Sequence, residues 1–147
     1  IITKPLQPAF FAYPSSYQLQ LAINTVVTVV LAGGVFDIGS NFASNTFTAP
    51  VTGKYQLNML LRLHDYDQSF DYLHLRIVTS NRNYKMLREP VPFDDEISML
   101  SWGTSVLADM DAGDTAYIAI YQQGGSAILD VSGSDGQFSW FTGHLVC

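Results

Sequence analysis

The stretch Thr46 to Leu63, TFTAPVTGKYQLNMLLRL, joins a turn of fixed geometry to a long alternating strand. Pro50 and Gly53 bracket the turn: proline holds φ near −65°, and glycine accepts the positive φ that a tight connection often demands. Beyond it, Tyr55, Leu57, Met59, Leu61 and Leu63 fall on one face and Lys54, Gln56, Asn58, Arg62 and His64 on the other. A period of two is that of a half-buried strand. Leu60 interrupts the polar face, so a covering layer that is not the strand's own core is expected over it, and a neighbouring subunit would supply one.

The rest of the chain repeats this β character. No window keeps apolar residues at i, i+3, i+4 and i+7 between caps, whereas β-branched and aromatic residues recur between Gly, Asn, Asp and Ser clusters. Strands are expected near Ala9 to Tyr13, Tyr17 to Ile23, Thr25 to Leu31, Phe42 to Thr48, Lys54 to His64, Tyr72 to Thr79, Tyr84 to Arg88, Ser98 to Met110, Thr115 to Tyr121, Ala127 to Val131 and Gln137 to Val146. Turns are expected at Gly33-Gly34, Gly39 to Asn41, Ser80 to Asn83, Asp111 to Asp114, Gly124-Gly125 and Gly133 to Gly136. About ten antiparallel strands at this spacing make an all-β sandwich or jelly roll.

Two segments are apolar on both faces. In Thr115 to Tyr121 one parity is Ala116, Ile118 and Ile120 and the other is Tyr117, Ala119 and Tyr121; in the closing segment Phe141, Gly143 and Leu145 alternate with Phe138, Trp140, His144 and Val146. An antiparallel strand normally shows water one of its faces, so each needs a second covering layer. Composition agrees, with 14% charged residues, 48% apolar and 13% aromatic. Faces buried by self-association are the simplest explanation.

The 147 residues suit one domain with an adequate core. Seven basic against thirteen acidic residues give a net charge of −6, and no Lys/Arg cluster exists to neutralise a phosphate backbone, so nucleic acid is not an expected partner. No apolar run nears the ~18 residues of a membrane span, and membrane insertion is not expected. The lone cysteine, Cys147, excludes an intrachain disulfide and leaves the redox compartment open. Pro5 and Pro8 stiffen the opening residues, so residues 1–7 are expected to be a lead-in from a stalk and residues 8–147 a head.

Phe36-Asp37, Phe42, Phe47-Thr48-Ala49-Pro50, Gly53-Lys54-Tyr55, Leu107 through Gly113-Asp114 and Phe141-Thr142-Gly143-His144-Leu145 follow the order and approximate spacing of the complement C1q globular head. The chain thus resembles the C1q/TNF-like jelly rolls from about Pro8 to Val146; Leu57 and Met59 replace that family's usual aromatics, and the Phe42–Phe47 loop is about two residues short. The resemblance implies a ten-stranded antiparallel jelly-roll sandwich in a tight homotrimer, its inner sheet facing the threefold axis and a fibrous stalk leading into the head. Leu60, Tyr117, Tyr121 and Trp140 then become the expected trimer contacts. The wording of Asn45 to Gly53 and Leu107 to Asp114 is similar to heads encoded by bacteriophages and bacteria.

Catalytic residues are not expected. Gly-x-Ser-x-Gly and His-Glu-x-x-His are absent, and His64, His74 and His144 have no partnered nucleophile in the pattern. Asp65/Asp67/Asp71, Asp94/Asp95/Glu96 and Asp109/Asp111/Asp114 raise calcium as an alternative, but none has EF-hand spacing, and Asp111 to Asp114 suits a turn whose carboxylates bond their own backbone. No cofactor or metal is expected. Tyr66 and Phe70 on a loop, with Tyr72, His74 and Arg76 outward on the next strand, combine aromatic faces with hydrogen-bonding groups, as a sugar or protein ligand would require. Trp102 shares parity with Thr104, Val106 and Ala108 and belongs to the core.

The expectation is a non-enzymatic trimeric head, extracellular or on a virion surface, which binds a cell-surface glycan or protein receptor from the end of a phage or other fibre. A purely structural trimerisation cap is the alternative. A glycan-active hydrolase would need two facing carboxylates at a defined separation.

Overall fold

The computed structural model describes residues 4, 6–66, 68–90 and 98–147. Pro5, Asp67, Asp94, Asp95 and Glu96 lie outside the described residues. The elements are β1 (Ala9–Tyr13), β2 (Val26–Thr28), β3 (Gly33–Ile38), β4 (Phe42–Ala43), β5 (Thr46–Thr48), β6 (Gly53–His64), β7 (Tyr72–Thr79), β8 (Asn83–Arg88), β9 (Met99–Met110), β10 (Thr115–Gln123), β11 (Asp130–Val131) and β12 (Trp140–Leu145).

They form two six-stranded antiparallel sheets. In the first, β3, β1, β12 and β6 lie side by side; β9 runs along the other edge of β6, and β11 continues the β12 row at the end of β6. The second sheet runs β4, β5, β10, β7, β8, with β2 beside β10. The inward parity of β6, Tyr55 to Leu63, is buried as the alternation requires. It faces Ala116, Ile118 and Ile120 of β10 and Leu73, Leu75 and Ile77 of β7 across the core, each fully or almost fully buried.

Aromatic stacking sets the spacing of the layers near the β4–β5 end. Phe10 stacks on Phe47 at 4.6 Å and on Phe42 at 5.1 Å, and meets Phe141 edge-on at 5.0 Å. Such pairs add to plain area burial. Gly143 of β12 makes room for this cluster, since a Cβ there would come within 2.6 Å of Phe10 Cε1.

Three segments differ from the sequence reading, each for a backbone reason. Phe42 to Thr48 is a hairpin, because Ser44 (φ 51°) and Asn45 (φ 64°) both adopt left-handed conformations, as in a two-residue primed turn. Asn45 also accepts a hydrogen bond from the Leu31 amide at 2.7 Å. Tyr17 to Ile23 is not a strand: only Gln18 forms a bridge, to Val131, and Gln20 (φ 50°) and Asn24 (φ 57°) turn the chain. Gly33-Gly34 opens β3, with a bulge opposite Phe11 and Ala12.

Residues 7–8 lie against β12, and the residues after β12 lie against the start of β6. The Leu145 amide donates to Pro8 O, the Lys54 amide to Cys147 O, and Gln7 Nε2 bonds Leu145 O. Cys147 is a free, exposed thiol.

Candidate functional site: an aromatic and basic outer face

Each sheet has an outward face, and the two differ in chemistry. On the first sheet, Leu60 lies directly across from Trp140 and Gly103, and the Trp140 ring lies 6.3 Å from Phe11, which touches Phe36 at 6.1 Å. Phe36 and Leu107 are exposed on this face. Its central polar members are uncharged: Gln56 Nε2 donates to Asn58 Oδ1, and Asn58 Nδ2 to Thr142 Oγ1.

The second sheet carries a different group. β7 turns Tyr72, His74 and Arg76 outward, opposite Gln123, Tyr121 and Ala119 of β10, while Lys85 of β8 lies across from Arg76. The Tyr72 ring is 5.0 Å from His74 and 6.2 Å from Tyr121, the latter pair stacked at 30°. The Arg76 guanidinium lies 5.0 Å from the Tyr121 ring, a cation–π distance. Tyr121 Oη donates to Gln123 Oε1 at 2.5 Å, which leaves the Gln123 amide nitrogen as a donor toward solvent.

Arg76 is only 9% exposed, and its Nε has no hydrogen-bond partner. Its Nη2 lies 3.2 Å from His74 Nδ1. Arginine only donates, so Nδ1 accepts and the His74 proton sits on Nε2. Burial, then the positive charges of Arg76 and Lys85, push the His74 pKa below its ordinary value. A histidine oriented by a cation reverses the carboxylate–histidine pairing that readies a general base. The arrangement presents donors (Arg76, Lys85, Gln123, His74 Nε2) beside aromatic faces, and suits binding an acceptor-rich ligand.

Of the expected ligand residues, Tyr72, His74 and Arg76 come together, but Tyr66 and Phe70 do not join them. Both are 3% exposed and plug the end of the core, Tyr66 meeting Phe70 at 5.0 Å and Trp102 at 5.2 Å. Asp65, at φ 53°, turns the chain inward just before Tyr66, which ends the strand parity there. Burial, offset in part by Arg88, raises the Tyr66 pKa to about 12. Lys85 and Gln123 were missed by sequence reading; each sits on the outward parity of a strand adjacent to Arg76 or Tyr121.

The four expected trimer contacts also divide. Leu60 and Trp140 belong to the first sheet, Tyr117 and Tyr121 to the second. The two pairs therefore lie on different outward faces, and Tyr121 is engaged with Arg76 and Gln123. Strand parity says which residues point outward but not from which sheet.

Asp114 Oδ2 accepts from the Asp111 amide at 2.8 Å and from Asn81 Nδ2 at 3.2 Å, so this carboxylate is held in its own turn. Among the described residues no three His, Cys, Asp or Glu side chains gather in a metal-holding group. His144 is exposed, and His64 packs edge-on against Tyr17 at 5.3 Å.

No protein-family model matches the sequence, and no curated protein matches it. Solved structures do match. The globular domain of zebrafish complement 1qA superposes with a TM-score of 0.66 at 15% identity, over 96% of this chain and 98% of that one. Murine APRIL superposes with a TM-score of 0.66 at 14% identity, over 95% of this chain and 99% of that one. The architecture is therefore the all-β C1q/TNF-like jelly-roll sandwich.

Proposed function

We propose that the protein is a non-enzymatic binding head which associates with copies of itself through the first sheet and meets its ligand with the second. The observation that carries this reading is the contrast between the two outward faces: Leu60, Trp140, Phe11 and Phe36 around uncharged amides on one, and tyrosines, His74 and buried Arg76 on the other. The first face is apolar with uncharged amides at its centre and carries Lys54 and Arg62 only toward the two ends of β6. Its centre can therefore be desolvated against a copy of itself at less electrostatic expense than the second face, where Arg76 and Lys85 sit side by side. The resemblance to C1q/TNF-like heads makes a homotrimer the natural assembly, with a cell-surface glycan or protein receptor as ligand and a fibre end, on a cell or a virion, as the location. The similar wording of Asn45 to Gly53 to phage and bacterial heads supports that last point.

Sedimentation of Trp140→Asp and Tyr117→Asp beside the parent tests the assembly. The parent sediments as a trimer, Trp140→Asp as a monomer with intact β circular dichroism, and Tyr117→Asp as the parent, because an unpaired charge at the buried contact costs several kcal/mol while one on the open face does not. The opposite pattern would move the interface to the second sheet, and a monomeric parent at micromolar concentration would end the reading.

A further inference from the structure

We infer that the outer face of the second sheet takes a saccharide bearing a carboxylate, of the uronic acid class, with Arg76 as the partner of the acid group. This deepens the ligand reading above and rests on it.

Arg76 is a cation more than nine-tenths removed from water, with an orphaned Nε, and it forms no ion pair with a carboxylate among the described residues. Among the described residues its one hydrogen-bonding neighbour is the His74 ring. Buried guanidinium groups ordinarily find a carboxylate or phosphate, and the fork of parallel N–H groups matches a planar carboxylate. In a chain of net charge −6 a face holding Arg76 and Lys85 beside each other is also the exception. The missing partner is therefore an anion brought from outside.

The surroundings narrow its chemistry. Gln123 Nε2, His74 Nε2 and Lys85 Nζ are further donors, so the ligand is rich in acceptors on all sides. The Tyr72 and Tyr121 rings, 6.2 Å apart with planes at 30°, stand beside His74 and Arg76 and supply the aromatic surface against which the C–H groups of a sugar ring pack. A pyranose packed against the tyrosines, with the carboxylate at its edge meeting Arg76 and its hydroxyls meeting the amide and imidazole, uses the aromatic rings and the donors together. A bare inorganic anion would leave the aromatic rings unused.

Methyl glucuronide, methyl glucoside and inorganic phosphate are titrated separately into the intact protein while side-chain and amide NMR signals of β7, β8 and β10 are followed. The glucuronide is expected to shift them saturably and to bind at least ~10-fold more tightly than the neutral glucoside, since a hydrogen bond to a charged group contributes about that much or more. Arg76→Gln is expected to remove the difference; Lys85→Gln, at an exposed position where folding is not at stake, is expected to weaken glucuronide binding several-fold. Equal binding of glucuronide and glucoside, unchanged in Arg76→Gln, would overturn the acid preference and leave the face standing as a sugar site. Phosphate binding as tightly as glucuronide would overturn the saccharide assignment. Failure of all three to move any signal would overturn this inference, while a protein receptor for the second face and self-association through the first would stand.

Discussion

Gly143 is a position where the core leaves no room for a side chain, and replacing it by alanine measures how tightly the packing is set there. The new Cβ would stand 2.6 Å and 3.0 Å from Phe10 Cε1 and Cζ, and 2.8 Å from Leu57 Cδ2. Phe10 cannot withdraw, being held between Phe47 at 4.6 Å, Phe42 at 5.1 Å and Phe141 at 5.0 Å, and Leu57 is fully buried. Overpacking of this kind costs about 1–3 kcal/mol, offset by about 0.4–1 kcal/mol from the smaller unfolded-state entropy of alanine, so a net loss of about 1–2 kcal/mol is expected. Gly34→Ala is the comparator: its Cβ would meet only Phe11 O, at 3.6 Å, and its backbone is outside the left-handed region, so it should gain the entropic term without a clash. Urea unfolding of both variants at one fixed protein concentration gives the difference, read as a displaced midpoint with unchanged slope. Should Gly143→Ala unfold at the same urea concentration as Gly34→Ala, the layers are not in contact at Phe10 and the packing argument fails.

Two pH effects follow from burial. Burial, then the charges of Arg76 and Lys85, lower the His74 pKa in the fold, where it lies between Tyr72 and Arg76 of its own strand, with Leu87 of β8 and Tyr121 of β10 directly across from it and Lys85 and Gln123 diagonal to it. Below the ordinary value near 6.5 the unfolded chain therefore takes up a proton that the folded chain resists, and stability should fall with pH until the folded pKa is passed; His74→Gln should flatten that part of the profile, and an unchanged profile would refute the shift. Tyr66, with its pKa raised to about 12, should stay protonated as accessible tyrosines ionise, and stability should be lost as pH climbs from 10 toward that value. Ultraviolet titration of the parent against Tyr66→Phe checks it: removal of an ionisation near 10 instead would put Tyr66 at the surface.

Much of the sandwich was legible because its strands obey one rule without interruption. In β6 every odd position from Tyr55 to Leu63 is apolar and buried, and the expected bounds of β1 and β7 coincide with the observed ones. Legibility ended where the backbone leaves the extended region at residues with ordinary side chains. Ser44-Asn45 makes a primed turn without the Asn-Gly signature, and Asp65 reverses the facing of Tyr66 although an aspartate rarely announces a left-handed turn. The proposed ligand face was half legible for a related reason. Tyr72, His74 and Arg76 share one strand's parity and can be read together, but Lys85 and Gln123 join them only through lateral pairing, which alternation along a single strand does not encode. The same gap placed Tyr117 with Trp140, on opposite sides of the molecule.

The pairing of Pro8 with Leu145 beside β1 and β12 brings the first and last strands of the sandwich together. A short peptide bridge from the residues after β12 to Pro8 would therefore cross little space and disturb no strand. A head closed in this way could be reopened at the Gly124-Gly125 bend, where both residues already adopt positive φ and the chain lies outside every sheet, giving a permuted molecule with the same layers. The order in which the strands leave the ribosome would then change while their neighbours do not, so the sandwich can serve as an insert within a host loop, displaying the Tyr72–Arg76 face without a free end of its own.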